Sequence, residues 1–191
     1  MRVSFVLLIS FLHAANALRG GILHRRHFLG ALTTTLSGTT IAPKEGLAAA
    51  SNEEAEKLRG LSNEAIADIV RNDVVKGQFL TNGILTRSIY DESATFTDEI
   101  DTYGLDQWMR GTQKLFDGTQ SKVDLVGDVK ASSQEVEFRF SEILAFNIPF
   151  KPKVTLTGKV SLTRGKDGLI THYQEYWDQS VKEVLLSAKF N

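Results

Sequence analysis

Apolar residues along this chain follow two periods, and the change between them divides it. Ile66, Ile69, Val70 and Val74 recur at helical spacing and predict an amphipathic helix. Ser62 stands where its hydroxyl would cap that helix, and Glu64 lies in the first turn, where the helix dipole favours a carboxylate. Gly77 is placed to interrupt the helix, and Asn82-Gly83 reads as a turn. Ile84–Tyr90 reads as a short helix or helical turn, and Ala94–Thr97 as a short strand. Leu105, Trp108, Met109, Thr112 and Phe116 form the inward stripe of a second helix, which Asp117-Gly118 ends.

Beyond that point the period becomes two. Lys122–Lys130, Glu135–Phe146, Lys153–Arg164 and Leu169–Trp177 are predicted strands. Val136, Phe138 and Phe140 alternate with Glu135, Glu137 and Arg139, which implies one wet face. Val154, Leu156, Val160 and Leu162 do likewise, with Gly158 marking a bend or bulge. Lys166-Asp167-Gly168 reads as a hairpin turn. Ser180 and Glu183 form a capping box before a short helix with Val184, Leu185 and Ala188 on its apolar face. Helices followed by long antiparallel strands predict an α+β fold, with helices on one face of a curved sheet.

The first fifty residues carry a different texture, that of an address. Val3–Leu12 is a short apolar run after Arg2, and Ala15-Asn16-Ala17 supplies the small residues a signal peptidase reads. Arg25-Arg26-His27-Phe28-Leu29-Gly30 is a twin-arginine pattern, followed by a mildly apolar stretch and Ala48-Ala49-Ala50 as a second cleavage site. Two export signals in series resemble the bipartite leader of a plastid protein bound for the thylakoid lumen. The expected division is a signal peptide at 1–17, a transit and twin-arginine segment at 18–50, and one domain at 51–191.

Composition narrows the chemistry. Five of the 22 basic residues and one of the 23 acidic residues lie in the first fifty, leaving the remainder with a net charge of −5. A mildly acidic domain is a poor nucleic-acid binder, because phosphate contacts need clustered Lys and Arg. Cysteine is absent, which excludes disulfides, thiolate catalysis and Cys-based zinc sites. His172 is the only histidine after residue 50, so a multi-histidine metal site within one chain is excluded and no metal or cofactor is expected. No stretch after residue 50 is long and apolar enough to span a bilayer.

The ordered elements, together with particular words of the text, resemble the nuclear transport factor 2-like superfamily, also described as SnoaL-like or cystatin-like. The words are Leu85-Thr86-Arg87-Ser88-Ile89-Tyr90, Phe96-Thr97-Asp98, Gly104-Leu105, Leu115-Phe116, Pro149-Phe150-Lys151-Pro152, Leu156-Thr157-Gly158, Gly168-Leu169-Ile170 and Trp177-Asp178. Within that superfamily they are most similar to an uncharacterised cyanobacterial and plastid family, from which Glu99 departs where many members have proline. The resemblance implies a cone. Helices would pack on a curved, mainly antiparallel sheet of four to six strands, around a central pocket.

Candidates for that pocket are Tyr90, Phe96, Trp108, Phe138, Phe140, Glu142, Tyr173, Glu175 and Trp177. Alternation on the last strand puts Tyr173, Glu175 and Trp177 on one face and His172, Gln174 and Tyr176 on the other, and leaves open which face lines the pocket. Asp98 is the candidate general base, set against a role as a cap for the loop Glu99–Tyr103. His172 is the candidate pH switch. Phe146–Pro152 is either a hairpin tip packed back on the fold or an apolar docking edge.

Two functions fit. The first is a thylakoid-lumen protein that binds a small apolar ligand or a photosynthetic partner, a membrane complex or a second copy of itself, without established catalysis. The second is an isomerase- or dehydratase-like acid–base enzyme acting on a plastid lipid, pigment or terpenoid. An enzyme should bury at least two polar groups that converge. A binder should show an apolar pocket, or an apolar surface around Phe146–Phe150.

Overall fold

The computed structural model describes residues 56–190. The predicted signal and transit segments, and residues 51–55, lie outside the described residues. Helix α1 spans Asn63–Val75, and the Ser62 hydroxyl accepts from the Ala65 amide at its start. Ile66, Val70 and Val74 are its buried stripe, as their spacing requires. A short helix α2, Phe79–Asn82, follows Gln78, a left-handed residue whose side chain ties down three backbone carbonyls. Gly83 ends α2 at φ 67°, and a β-carbon there would lie 2.4 Å from the Met109 carbonyl oxygen. Only glycine permits that approach.

A single 3₁₀ turn, Arg87–Ile89, leads into strand β1, Tyr90–Thr97. Strand β2, Thr102–Gly104, returns beside it before helix α3, Leu105–Leu115. Three long strands follow, β3 (Lys122–Ala131), β4 (Glu135–Ala145) and β5 (Lys153–Arg164), then β6 (Ile170–Trp177). The capping box forms as the sequence implies and opens helix α4, Val181–Leu186.

The strands make one six-stranded sheet in the order β2-β1-β6-β5-β4-β3. Every pairing is antiparallel except β1 with β6, which is parallel. The sheet is therefore mixed, and β1 is longer than the four residues its text suggested. Tyr90 and Ala94 are buried beside Phe96, which extends the strand back to the 3₁₀ turn. Helix α1 packs on β3, α3 on β1 and α2, and α4 on β5. The inward faces of sheet and helices meet in one apolar cluster, in which Ile66, Phe96, Val136, Val160, Leu162 and Tyr173 are completely buried. No helix among the described residues is long and apolar enough to cross a membrane.

Candidate active site

Alternation along β6 resolves which residues face the core. Tyr173 and Glu175 are buried, Trp177 is half-buried at the strand end, and Tyr176 is exposed on the other side. The inward row of β4 is Val136, Phe138, Phe140, Glu142 and Leu144. Register with β5 sets Glu142 opposite Leu156, Phe140 opposite Gly158, and Glu175 opposite Val160. Gly158 holds a gap between them. A β-carbon there would meet the Phe140 ring at 2.8 Å and the Tyr176 carbonyl oxygen at 2.3 Å.

The aromatic residues expected around a pocket pack chiefly on one another. Phe96 lies between Trp108 and Tyr173, with ring centroids 4.7 and 4.9 Å away, and Tyr90 stacks on it at 5.6 Å. Phe79 closes the cluster against Trp108, Phe138 and Tyr173. Sequence reading passed over Phe79, although an apolar pair just after Gly77-Gln78 was a visible signal. These contacts make the aromatic group the core of the domain. What remains distinctive beside it is a pair of acids.

Glu142 and Glu175 are both buried on the inward face of the sheet. Glu175 accepts hydrogen bonds on both oxygens, from the Tyr173 hydroxyl and, at 2.5 Å, from Trp177 Nε1. Burial pushes its pKa up to about 7, while the two donors pull the other way and the charges of Asp98 and Glu99 add to the rise. Glu142 lies well above the ordinary carboxylate range, first because it is buried and then because Glu175 is near. Its Oε2 has no hydrogen-bond partner among the described residues. A neutral acid tolerates that environment better than a carboxylate. The Tyr173 phenol is likewise raised, by burial first and then by Glu175. One acid that changes charge near neutrality thus shares the inward face with one whose charged form burial disfavours, and a phenol fixes the first. That division of environments is the physical basis of acid–base pairs.

Asp98 sits at the edge of this group. Its Oδ1 accepts from the amides of Ile100 and Asp101, at 2.8 and 2.9 Å. Those bonds are the loop cap weighed against a general base, and burial raises its pKa all the same. The loop it caps reaches β6, where Glu99 Oε1 accepts from the Trp177 amide at 3.4 Å. His172 points to the opposite face of β6 from the acids, and its Nδ1 meets the Thr95 hydroxyl at 2.8 Å. A switch at His172 would therefore not act on the Glu142–Glu175 pair directly.

Two surface clefts lie away from the acids. One, of about 480 Å³, is lined by Arg59, Asn63, Arg164, Lys166 and Asp167 among others, and the second, of about 300 Å³, lies between α1 and β3. Arg164 is eight residues along β5 from Leu156, the partner of Glu142. At about 3.3 Å per strand residue that is roughly 26 Å, and Val160, the partner of Glu175, is about half as far. Arg164 was not singled out by sequence, and a strand-terminal arginine carries little signal by itself. In the loop after β4, Phe146 is half-buried against Phe116 at 5.4 Å and Pro152 is buried, whereas Phe150 is 78% exposed at φ 66°. The loop is thus in part packed back and in part presented outward. Among the described residues no three acidic or histidine side chains gather as a metal site.

No protein-family model matches the chain, and no curated protein matches its sequence. Solved structures similar to it are nuclear transport factor 2-like proteins. One, from Anabaena variabilis, is 17% identical over 62% of this chain and 92% of its own, with a TM-score of 0.47. A second, from Salmonella enterica, is 12% identical over 62% of this chain and 92% of its own, with a TM-score of 0.47. A third is SalBIII, an epoxide hydrolase/cyclase-like enzyme of pyran ring formation in salinomycin. It is 13% identical over 67% of this chain and 97% of its own, with a TM-score of 0.47. At these values the likenesses concern overall form and say nothing about chemistry here.

Proposed function

We propose that the domain is an acid–base catalyst of the isomerase or dehydratase type, acting on a small, mainly apolar substrate. The observation that carries this reading is the burial of Glu142 and of the hydrogen-bonded Glu175 and Tyr173 on one inward face, with the pKa of Glu175 pushed up to about 7. Ionised Glu175 is suited to remove a proton from carbon next to a carbonyl. Glu142 in its neutral form, whose Oε2 has no partner among the described residues, is suited to give a hydrogen bond or a proton to the oxygen on which charge develops. Tyr173 and Trp177 hold Glu175 in place. Half-buried Trp177, beside the Asp98–Asp101 loop, is the least buried member of this group, and a substrate would have to enter past it.

The test is proton exchange in deuterated water, followed by NMR, with a panel of cyclic β,γ-unsaturated ketones and β-hydroxy ketones. Exchange should rise with pH through an inflection near 7 and fall by about 100-fold or more in Glu175→Gln. Exchange that survives Glu175→Gln would rule out Glu175 as the base, and tight binding of panel members with no exchange would replace catalysis by simple binding. Exposed Phe150 favours a second reading, in which the same domain docks on a partner protein through that loop. We further propose that the chain works in a thylakoid lumen after loss of residues 1–50. That placement rests on Arg25-Arg26 and the two small-residue cleavage sites alone.

A further inference from the structure

Arg164 is a buried cation with no ion-pair partner among the described residues. It is 8% exposed, yet no carboxylate among the described residues lies within ion-pairing distance of it. Its guanidinium donates to the carbonyls of Leu61, Ser132 and Gly168 and to Asn63 Oδ1. It thereby ties the start of α1 to two hairpins. Four of its five N–H groups are used, and one on Nη2 has no acceptor among the described residues. Neutral carbonyls satisfy hydrogen bonds but do not cancel a buried charge, and such a charge is costly unless something of opposite sign comes close.

The cleft of about 480 Å³ opens beside this group. Its lining holds three cations, Arg59, Arg164 and Lys166, and one anion, Asp167. Asp167 is already paired with Arg59, and its Oδ1 accepts from the Leu169 amide. The lining therefore carries a net charge of +2 in a domain that is acidic overall. Glycines form part of the wall. The position a β-carbon would take at Gly168 is 3.3 Å from Arg164 Nη2 and 3.1 Å from the Gly60 nitrogen, so only glycine lets this hairpin pack so closely on both. The Ser133 side chain adds a hydroxyl at the rim.

We propose that this cleft is a binding site for a phosphate-type dianion, free or as a small phosphomonoester. Arg164 is its buried anchor and Lys166 its exposed second cation. A dianion balances the lining charge, and the one remaining Nη2 N–H of Arg164 can donate to an oxyanion. The site is at the end of β5, four residues beyond Val160, the partner of Glu175, and eight beyond Leu156, the partner of Glu142.

The experiment follows backbone amide shifts of the full chain during titration with inorganic phosphate at constant ionic strength. Sodium chloride is the control, and glycerol 1-phosphate is the ester arm. Saturable shifts should centre on Gly60, Gly165 and Gly168. Lys166→Gln, at an exposed position, should weaken binding about tenfold, and Arg164→Lys should weaken it further. Binding of inorganic phosphate points to the free ion, and binding of the ester alone to a phosphomonoester, and either supports the site. The proposal is overturned if neither anion gives saturable shifts there by about 20 mM, or if chloride reproduces them. It is equally overturned if Lys166→Gln binds as the unchanged chain does.

Discussion

Glu175→Gln should change how stability depends on pH, by an amount the structure sets. The pKa of Glu175 rises from 4.5 to about 7 on folding, mainly through burial. Below about pH 4.5 the folded and unfolded chains both carry the proton, and burial of this group costs nothing in charge. Between about 4.5 and 7 the unfolded chain ionises while the folded chain does not, so stability falls as pH rises. Above 7 both are ionised and the full loss remains, on the order of 3 kcal/mol for a rise of this size. Glutamine has no such titration. It keeps one acceptor, but its amide N–H₂ then faces one of two donors, the Tyr173 hydroxyl or Trp177 Nε1. That mismatch costs about 1–3 kcal/mol at any pH. The variant should therefore be the weaker protein near pH 5 and should draw level with the unchanged chain or pass it near pH 8. Urea unfolding of both proteins at several values across that window measures it. Glu142, Asp73 and Asp98, also raised, contribute to both curves, and Glu92, lowered to about 2, titrates below the window. If the difference in unfolding free energy between the two proteins is constant across the window, Glu175 does not titrate as its burial requires.

Further outcomes follow from particular contacts. Trp108→Ala should cost about 3–5 kcal/mol in chemical unfolding, because the indole is stacked on Phe96 and packed on Phe79 and Tyr173; a cost below about 1 kcal/mol would place it outside the core. Asp98→Ala removes the acceptor for the Ile100 and Asp101 amides and should lower stability by about 0.5–2 kcal/mol, read by the same assay. Gly83→Ala should cost more than about 1 kcal/mol, since the residue is left-handed and faces the Met109 carbonyl; an unchanged midpoint would refute that packing. N-terminal sequencing of native protein should find a start near Ser51, and a start before Arg25 would refute the paired signals.

What the chain decides locally could be read from it directly. The stripe Ile66, Val70 and Val74, the Ser62 cap, the Ser180–Glu183 capping box and the alternation in β4 and β5 each depend on neighbours a few residues away. Period and capping chemistry are written within such windows. The separation of Tyr173 and Glu175 from His172 also followed from alternation. Which set faces inward did not, because both carry aromatic and polar residues, and only the packing of Tyr173 on Phe96 chooses. The parallel pairing of β1 with β6 joins segments some eighty residues apart and leaves no local trace. The same holds for the acids. Glu142 and Glu175 could be named from the sequence as pocket candidates, but not as a pair of buried acids. Their pKa values rise because one sheet turns both toward a core from which water is excluded, and the cost of charge there depends on burial, not on sequence neighbours. Arg164 is the sharpest case: an ordinary strand-end arginine in the text becomes, through Leu61, Ser132 and Gly168, a buried cation at the floor of a cleft.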